Sequence, residues 1–206
     1  MNADTDAAAD WTVRAFATPG GPNDGNCSTD ADGDGIPDCA ELPGTTFAGL
    51  PYYDWGARQG QKDIFIELDY MTSADPGITP RKEALDKVVA AFAARGYAVH
   101  FDTGTLYSAT IDPASYNLGG GNALTFAPGL SLVAGTGITS LYQYKAANFD
   151  VRRRPVFHYL IFGNSQLASG AAGSSGLAEL NGNDFLVTLG GWGLTASTTA
   201  ALNELI

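Results

Sequence analysis

The sequence has few basic residues. Its 11 lysines and arginines stand against 22 aspartates and glutamates, which gives a formal net charge of -11 at pH 7. A field of this sign repels nucleic-acid phosphates and anionic lipid headgroups, and it attracts cations. The composition therefore excludes nucleic acid as an expected partner and favours a bound cation.

Long apolar runs are also missing. No stretch approaches the roughly 18 apolar residues that a membrane-spanning helix needs. The first ten residues, MNADTDAAAD, are acidic where a signal peptide would be basic and then apolar. We therefore expect no membrane insertion, and we expect the numbering to begin after an export signal has been removed.

Cysteine and histidine are scarce. The two cysteines, Cys27 and Cys39, lie close together in a chain with 26 glycines, which favours a loop-rich protein in an oxidising setting, secreted or on the cell surface. The two histidines, His100 and His158, lie in predicted strands without a partner at i,i+4. We expect structural roles for both histidines rather than metal binding.

The chain does have enough apolar residues for a core, at 45% of 206 residues. Residues 1–60 are dense in Gly, Pro, Asp and Asn, which predicts an irregular acidic lobe. Residues 61–206 alternate between strand and helix patterns, so we predict an α/β domain with a largely parallel sheet.

The element pattern can be read segment by segment. The predicted strands are 63–71, 97–102, 156–162 and 184–192, and the predicted helices are 80–95, 140–149 and 195–206. Thr79 is expected to be the N-cap of the first helix, with Pro80 at its first position and Gly96 just beyond its end. Residues 63–102 then form a parallel β-α-β unit. The Gly-rich stretch 103–138 has no periodicity and predicts a long loop.

Two charged groups lie beside these strands. Glu67 and Asp69 share one strand face and could perform acid-base chemistry, but we favour pairing with Lys or Arg on a covered sheet. The three arginines at 152–154 are expected to form a solvated entry to the next strand.

The stretch DADGDGIPDCAE fits the calcium-loop pattern D-x-[DN]-x-[DN]-G-x5-E without a gap. Five carboxylates at this spacing repel one another unless a cation lies among them. Gly35 permits the sharp turn, and hard oxygen ligands in this number favour Ca2+ over Zn2+. The predicted ligands are Asp30, Asp32, Asp34, Ile36 through its carbonyl, Asp38 and Glu41. An acidic solvated turn without a metal is the alternative.

Pro37 departs from a helix-loop-helix calcium hand, and the loop resembles the thrombospondin type 3 calcium repeat, in which cysteines flank the aspartates. A Cys27-Cys39 bridge would close a loop of about 13 residues and stabilise the fold by on the order of 3 kcal/mol. A structural calcium is expected rather than a regulatory one, because no sensor pair of helices is present.

Several longer stretches resemble the first half of secreted bacterial zinc metalloproteases of the zincin type. They are YYDWGARQGQKDIFIELDYM, ALDKVVAAFAARGYAVHFDTG, YQYKAANFDVRRRPVFHYLIFG and GNDFLVTLGGWG, which together with the acidic loop span about residues 30–206. The resemblance implies a zincin-like mixed sheet with packed helices. It also implies a following helix with H-E-L-G-H, whose histidines bind Zn2+ and whose glutamate is the general base.

The chain departs from that motif at its end. Glu204 and Leu205 match, but Asn203 stands where the first zinc histidine belongs and Ile206 replaces the glycine. An amide is a poor zinc ligand. Zn2+ is therefore not expected in this chain, and Glu204 would be catalytic only if a zinc-binding half exists.

Three functional hypotheses follow. The first is a secreted, calcium-binding, metalloprotease-related protein without a complete zinc site, which acts by binding or assembly. The second is the N-terminal portion of an active secreted zinc endopeptidase, with Asn203 natural or engineered. The third is an extracellular structural or adhesion subunit. The expected partners are a second copy of the chain or another extracellular protein.

Overall fold

The computed structural model describes residues 29–107 and 116–195. The predictions for Cys27, for Asn203 and Glu204, and for a helix over 195–206 concern residues outside these ranges, apart from Thr195. In chain order the strands and α-helices are β1 (Lys62–Met71), α1 (Lys82–Ala93), β2 (Tyr97–Asp102), β3 (Ala123–Leu124), β4 (Gly129–Ser131), β5 (Ile138–Ser140), α2 (Leu141–Asn148), β6 (Phe157–Gly163), β7 (Gly176–Ala178) and β8 (Asp184–Thr188). Short 3₁₀ helices cover Asp38–Ala40, Pro76–Ile78 and Val151–Arg153.

The main sheet is mostly parallel, which confirms the predicted α/β class. Its order is β2-β1-β6-β8-β7, and only β7 runs antiparallel to its neighbour. β3 pairs with the last two residues of β1, beyond the point where β2 ends. β4 and β5 form a separate parallel pair.

Alternation along β1 gives the strand two faces, each packed in a different core cluster. Ile66 and Leu68 lie in a core cluster with Leu85 of α1, while Phe65 and Met71 lie in the cluster on the opposite face. The second cluster is covered by irregular chain and α2 rather than by a long helix. Its members from the residues before β1 are Ile36, Ala40, Phe47, Leu50, Tyr52 and Ala57. The stretch before β1 is therefore part of the core.

The start of the first helix differs from the prediction. Thr79 ends the 3₁₀ turn Pro76–Ile78, and α1 begins at Lys82 with Arg81 as an N-cap that makes no side-chain capping bond. The cause is a tertiary contact. The Asp75 carboxylate accepts hydrogen bonds from the N–H groups of Gly77 and Gly191, which holds this segment against the end of β8.

The structure corrects two further predictions. The predicted loop 103–138 contains β3, β4 and the first residue of β5 within its described part. Arg153 is not a solvated strand entry, because it is only 3% exposed and its guanidinium pairs with buried carboxylates. In the described part of the chain, no helix is long and apolar enough to cross a membrane.

Candidate metal site

The acidic loop is folded around its first aspartate. Asp30 accepts hydrogen bonds from the N–H groups of Gly33, Asp34 and Gly35 at 2.7, 3.3 and 3.0 Å. Gly33 and Gly35 have φ of +76° and +93°, a region that suits glycine and that lets the chain turn sharply at both positions. The loop is thus preformed by bonds to its own backbone.

Asp34 ties the loop to the sheet. Its Oδ1 accepts from the N–H of Ile36 at 2.8 Å, and its Oδ2 accepts from the N–H of Asp63 at 2.8 Å. Asp63 is the second residue of β1, so one carboxylate holds both the turn and the first strand.

Two groups of carboxylates in the described residues could hold a cation. The first is Asp30, Asp32 and Asp34, and the second is Asp34, Glu41 and Asp63; within each group the ligand oxygens lie within 4.8 Å of one another. Since Asp34 belongs to both, the two groups form one continuous set. Calcium binds oxygen ligands at about 2.3–2.6 Å, so oxygens on opposite sides of its shell are about 5 Å apart. Each group fits a single calcium shell.

Two of these side chains have no protein partner for their charge. Both carboxylate oxygens of Asp32 and of Glu41 are buried and lack a hydrogen-bond partner among the described residues. Glu41 is only 2% exposed. A buried unsatisfied acceptor costs about 1–3 kcal/mol, and more when it is charged, so a buried cation ligand is the expected explanation.

The electrostatics of the site agree with this geometry. Burial, with the nearby Asp34 and Asp32 charges added, raises the pKa of Glu41 to about 8. Burial raises the pKa of Asp34 to about 6 and also raises the pKa of Asp32. Ionising these carboxyls costs free energy when no cation is bound, so a bound cation is favoured because it stabilises their ionised form.

The other predicted ligands lie nearby but outside these groups. The Asp38 carboxylate accepts from the N–H of Ala31 at 2.8 Å, and Asp38 starts the 3₁₀ helix that leads to Glu41. The Ile36 side chain is fully buried in the core. Direct ligation by Asp38 and by the Ile36 carbonyl stays a prediction. The Cys27-Cys39 bridge also stays a prediction, because Cys27 lies outside the described residues.

Sequence reasoning missed Asp63, which it took only as the first residue of a strand. Asp63 is 3% exposed. Its Oδ1 lies 2.6 Å from His100 Nε2 and 2.6 Å from Gln61 Nε2, and its Oδ2 accepts from the N–H of Arg58 at 3.1 Å. His100 also stacks on Phe65, with ring centroids 4.5 Å apart. An acidic residue directly before the apolar run 64–66 is the signal that could have indicated a role for Asp63.

A second polar cluster lies deeper in the same face of the sheet. Arg153 Nη1 donates to Glu67 Oε2 and Asp102 Oδ2, both at 2.6 Å. Tyr159 donates to Asp69 Oδ2 at 2.5 Å. The predicted pairing with Lys or Arg is thereby confirmed for Glu67, whereas the partners of Asp69 are Tyr159 and the N–H of Asn122 rather than a lysine or arginine.

Comparison with known proteins gave no relative. No family model matches the chain, and neither the curated proteins nor the solved structures contain a significant match.

Proposed function

We propose that the chain is a secreted, calcium-binding domain related to zincin metalloproteases, in which calcium is structural and the domain acts by binding or assembly. One observation carries the metal part. The Glu41 carboxylate is buried without a hydrogen-bond partner, and it lies in one group with Asp34 and Asp63. A cation among these groups replaces the missing partners and offsets their repulsion.

The donor set favours calcium. All side chains in the two groups are carboxylates, and neither group contains a histidine or cysteine. Calcium takes six to eight hard oxygen ligands, whereas zinc prefers nitrogen and sulfur in a smaller shell. The loop pattern beginning at Asp30 is also the calcium pattern.

A structural role follows from where the ligands lie. Asp30, Asp32 and Asp34 belong to the loop, Glu41 follows the 3₁₀ turn, and Asp63 belongs to β1. A cation that binds all three parts fixes the irregular N-terminal residues to the sheet. The described helices do not include a pair that flanks the loop, which argues against a sensor of the helix-loop-helix kind.

The metalloprotease relationship rests on the resemblance and on the type of sheet. A mostly parallel sheet with one antiparallel edge strand, β7, is compatible with a zincin-like fold. Asn203 in place of a zinc histidine favours a role without peptide hydrolysis. Calcium-dependent binding to an extracellular partner, or to a second copy, is the proposed activity.

The first test measures metal binding and stability together. The chain is freed of metal with EDTA, and calcium, magnesium and zinc are then titrated by calorimetry while melting temperatures are recorded. We expect calcium alone to bind tightly and raise the melting temperature; at a hundredfold excess over Kd the gain is about 2.7 kcal/mol. Glu41→Gln should abolish this response, whereas Glu83→Gln, at an exposed position of α1, should keep it.

Two results would contradict the proposal. An unchanged melting temperature, with no calcium in the purified protein, would remove the calcium site. Zinc-dependent cleavage of a peptide library by this chain would favour the active endopeptidase instead.

A further inference from the structure

A cavity of about 310 Å³ opens on the face of the sheet that the N-terminal residues cover. It lies between residues 50–55, β1, residues 118–122 and residues 148–153. None of the carboxylates of the candidate metal site lines it. Its volume is at the lower end of the range of about 300–1,000 Å³ that is typical of small-molecule sites.

One carboxylate oxygen in the cavity wall has no partner. Glu67 is 1% exposed, and its Oε2 accepts from Arg153 at 2.6 Å, but its Oε1 has no hydrogen-bond partner in the described part of the chain. The backbone of Gly120 lies close to Oε2, since a Cβ added at Gly120 would be 2.6 Å from this oxygen. Glu67 itself lines the cavity, so the cavity is the open space beside this carboxylate.

The surroundings of the cavity carry an excess of negative charge. Glu67 and Asp102 share Arg153, which is the one cationic side chain that hydrogen-bonds them among the described residues, and Asp69 lies buried beside them. At the rim, Arg152 is paired with Asp150. The four acidic side chains, Glu67, Asp69, Asp102 and Asp150, thus face only two arginines, Arg152 and Arg153.

The three inner carboxylates differ in how well they are satisfied. Asp102 accepts from the N–H groups of Gly104, Leu118 and Gly120 as well as from Arg153. Asp69 accepts from Tyr159 and from the N–H of Asn122. Only Glu67 has an oxygen left over, so an incoming donor has a single defined acceptor.

We propose that this cavity binds a small ligand through a primary ammonium group, which donates to Glu67 Oε1. The excess negative charge favours a cation over a neutral or anionic group. A metal ion is disfavoured because it requires several oxygen ligands, and neither of the carboxylate groups able to hold one includes Glu67. Trp55, which lines the cavity, offers an apolar surface to the methylene groups of such an amine.

The protonation of Glu67 agrees with this assignment. Burial is the largest cause that raises the pKa of Glu67, to about 7, with Asp69 and Asp102 adding to the effect and Arg153 opposing it. An ammonium group beside Oε1 favours the ionised carboxylate, just as an acid next to arginine is favoured as the anion. Amine binding is therefore expected to lower the pKa of Glu67 and to stabilise its ionised form.

The test uses the whole chain saturated with calcium and three probes: methylammonium, 1,4-diaminobutane and Nα-acetyl-lysine amide. Binding is measured by saturation-transfer NMR and calorimetry, each amine against its N-acetylated neutral counterpart. We expect at least one amine to bind about tenfold or more tightly than its neutral counterpart, as a charge-assisted hydrogen bond predicts. If no amine is preferred over its counterpart, the proposal is wrong.

Two variants locate the binding. Glu67→Gln should lose the preference for the amine, whereas Glu83→Gln on the exposed side of α1 should retain it. Because Glu67→Gln also weakens the pairing with Arg153, Asn148→Trp is the second variant; Asn148 is exposed at the rim of the cavity and a large side chain there should block entry. Unchanged amine binding in Asn148→Trp and in folded Glu67→Gln would place the ligand elsewhere and overturn the proposal.

Discussion

Asp63 connects three parts of the molecule through one side chain. Its carboxylate accepts from the backbone of Arg58 in the turn before β1 and contacts His100 of β2. It also lies within reach of Asp34 and Glu41 of the N-terminal residues. A residue in this position links the candidate cation site to the edge of the sheet, which no pattern within the loop could indicate.

Asp63→Asn is expected to weaken calcium binding by roughly tenfold or more, because affinity depends on the number of charged ligands. The amide keeps one acceptor oxygen and nearly the same shape, so the fold should persist. Calorimetry of the metal-free protein checks this. The matched control is Asp54→Asn, at an exposed position outside both carboxylate groups. Equal calcium affinity in both variants would exclude Asp63 as a ligand.

The Glu67 carboxyl predicts a pH dependence of stability. Its pKa rises from 4.5 to about 7 on folding, mainly through burial. Between these values the folded state binds more protons than the unfolded state, so the contribution of this group to the free energy of unfolding falls as the pH rises. We expect wild type to lose on the order of 1–3 kcal/mol more than Glu67→Gln between pH 5 and pH 8.

The measurement is urea denaturation in saturating calcium at both pH values. Other buried carboxyls titrate in both proteins, and the difference between the two isolates Glu67. A parallel pH dependence in wild type and Glu67→Gln would contradict the buried, proton-binding state of this side chain.

At the scale of elements, the long strands and both helices could be predicted because their patterns are local. β1 and β6 have alternating or continuous apolar residues, and α2 begins at Leu141 after Ser140, its N-cap, with a complete capping box. β4 and β5 have only three residues each and are too short to show a pattern, whereas β3 has two residues and pairs with β1, which is distant in the chain. The start of α1 was missed for the same reason, since Asp75 is held by Gly191.

In the candidate metal site, too, the local part could be predicted from the sequence and the part contributed by distant segments could not. The loop from Asp30 to Glu41 follows a motif that the sequence displays directly. Asp63 and Arg153 could not be assigned, because their burial depends on a sheet and a lobe that come together only in the fold. Local chemistry was visible in the sequence, whereas the contacts between distant segments were not.

The Gly-rich segment beside β2 gives a test at this scale. An added Cβ at Gly121 would lie 2.3 Å from the backbone nitrogen of Gly104 and 2.7 Å from the backbone oxygen of Asp102. Gly121→Ala should therefore destabilise the protein by about 1–3 kcal/mol beyond the usual cost of a positive φ. Gly44→Ala is the control, because Gly44 has φ of +75° and no atom within 4 Å of the added Cβ. Equal midpoints of urea unfolding for the two variants would show that the backbone of residues 102–104 does not pack closely against Gly121.

At the scale of the whole molecule, the irregular residues 36–57 and the sheet share one core. Tyr52 is fully buried, and its ring lies 5.3 Å from Phe65 and 6.1 Å from Phe157. Trp55 also packs on Phe157, at 5.8 Å. If a cation fixes the acidic loop to β1, its removal affects this aromatic packing and not the loop alone.

Calcium removal is expected to loosen residues 30–57 and β1 together, while α1 keeps its protection on the opposite face of the sheet. The physical reason is that Asp34 and Asp63 join the loop to β1, and the N-terminal aromatic residues pack on the same strand. Hydrogen exchange with and without EDTA, followed by peptide mass spectrometry, measures this directly. Faster exchange limited to residues 30–41 would mean that the cation orders only its own loop, and magnesium in place of calcium serves as the control for ionic strength. Coupled loss of protection across residues 30–57 and β1 would instead show that the cation holds these irregular residues on the sheet. Such a link is expected, because the described residues on that face have little regular structure to hold them in place.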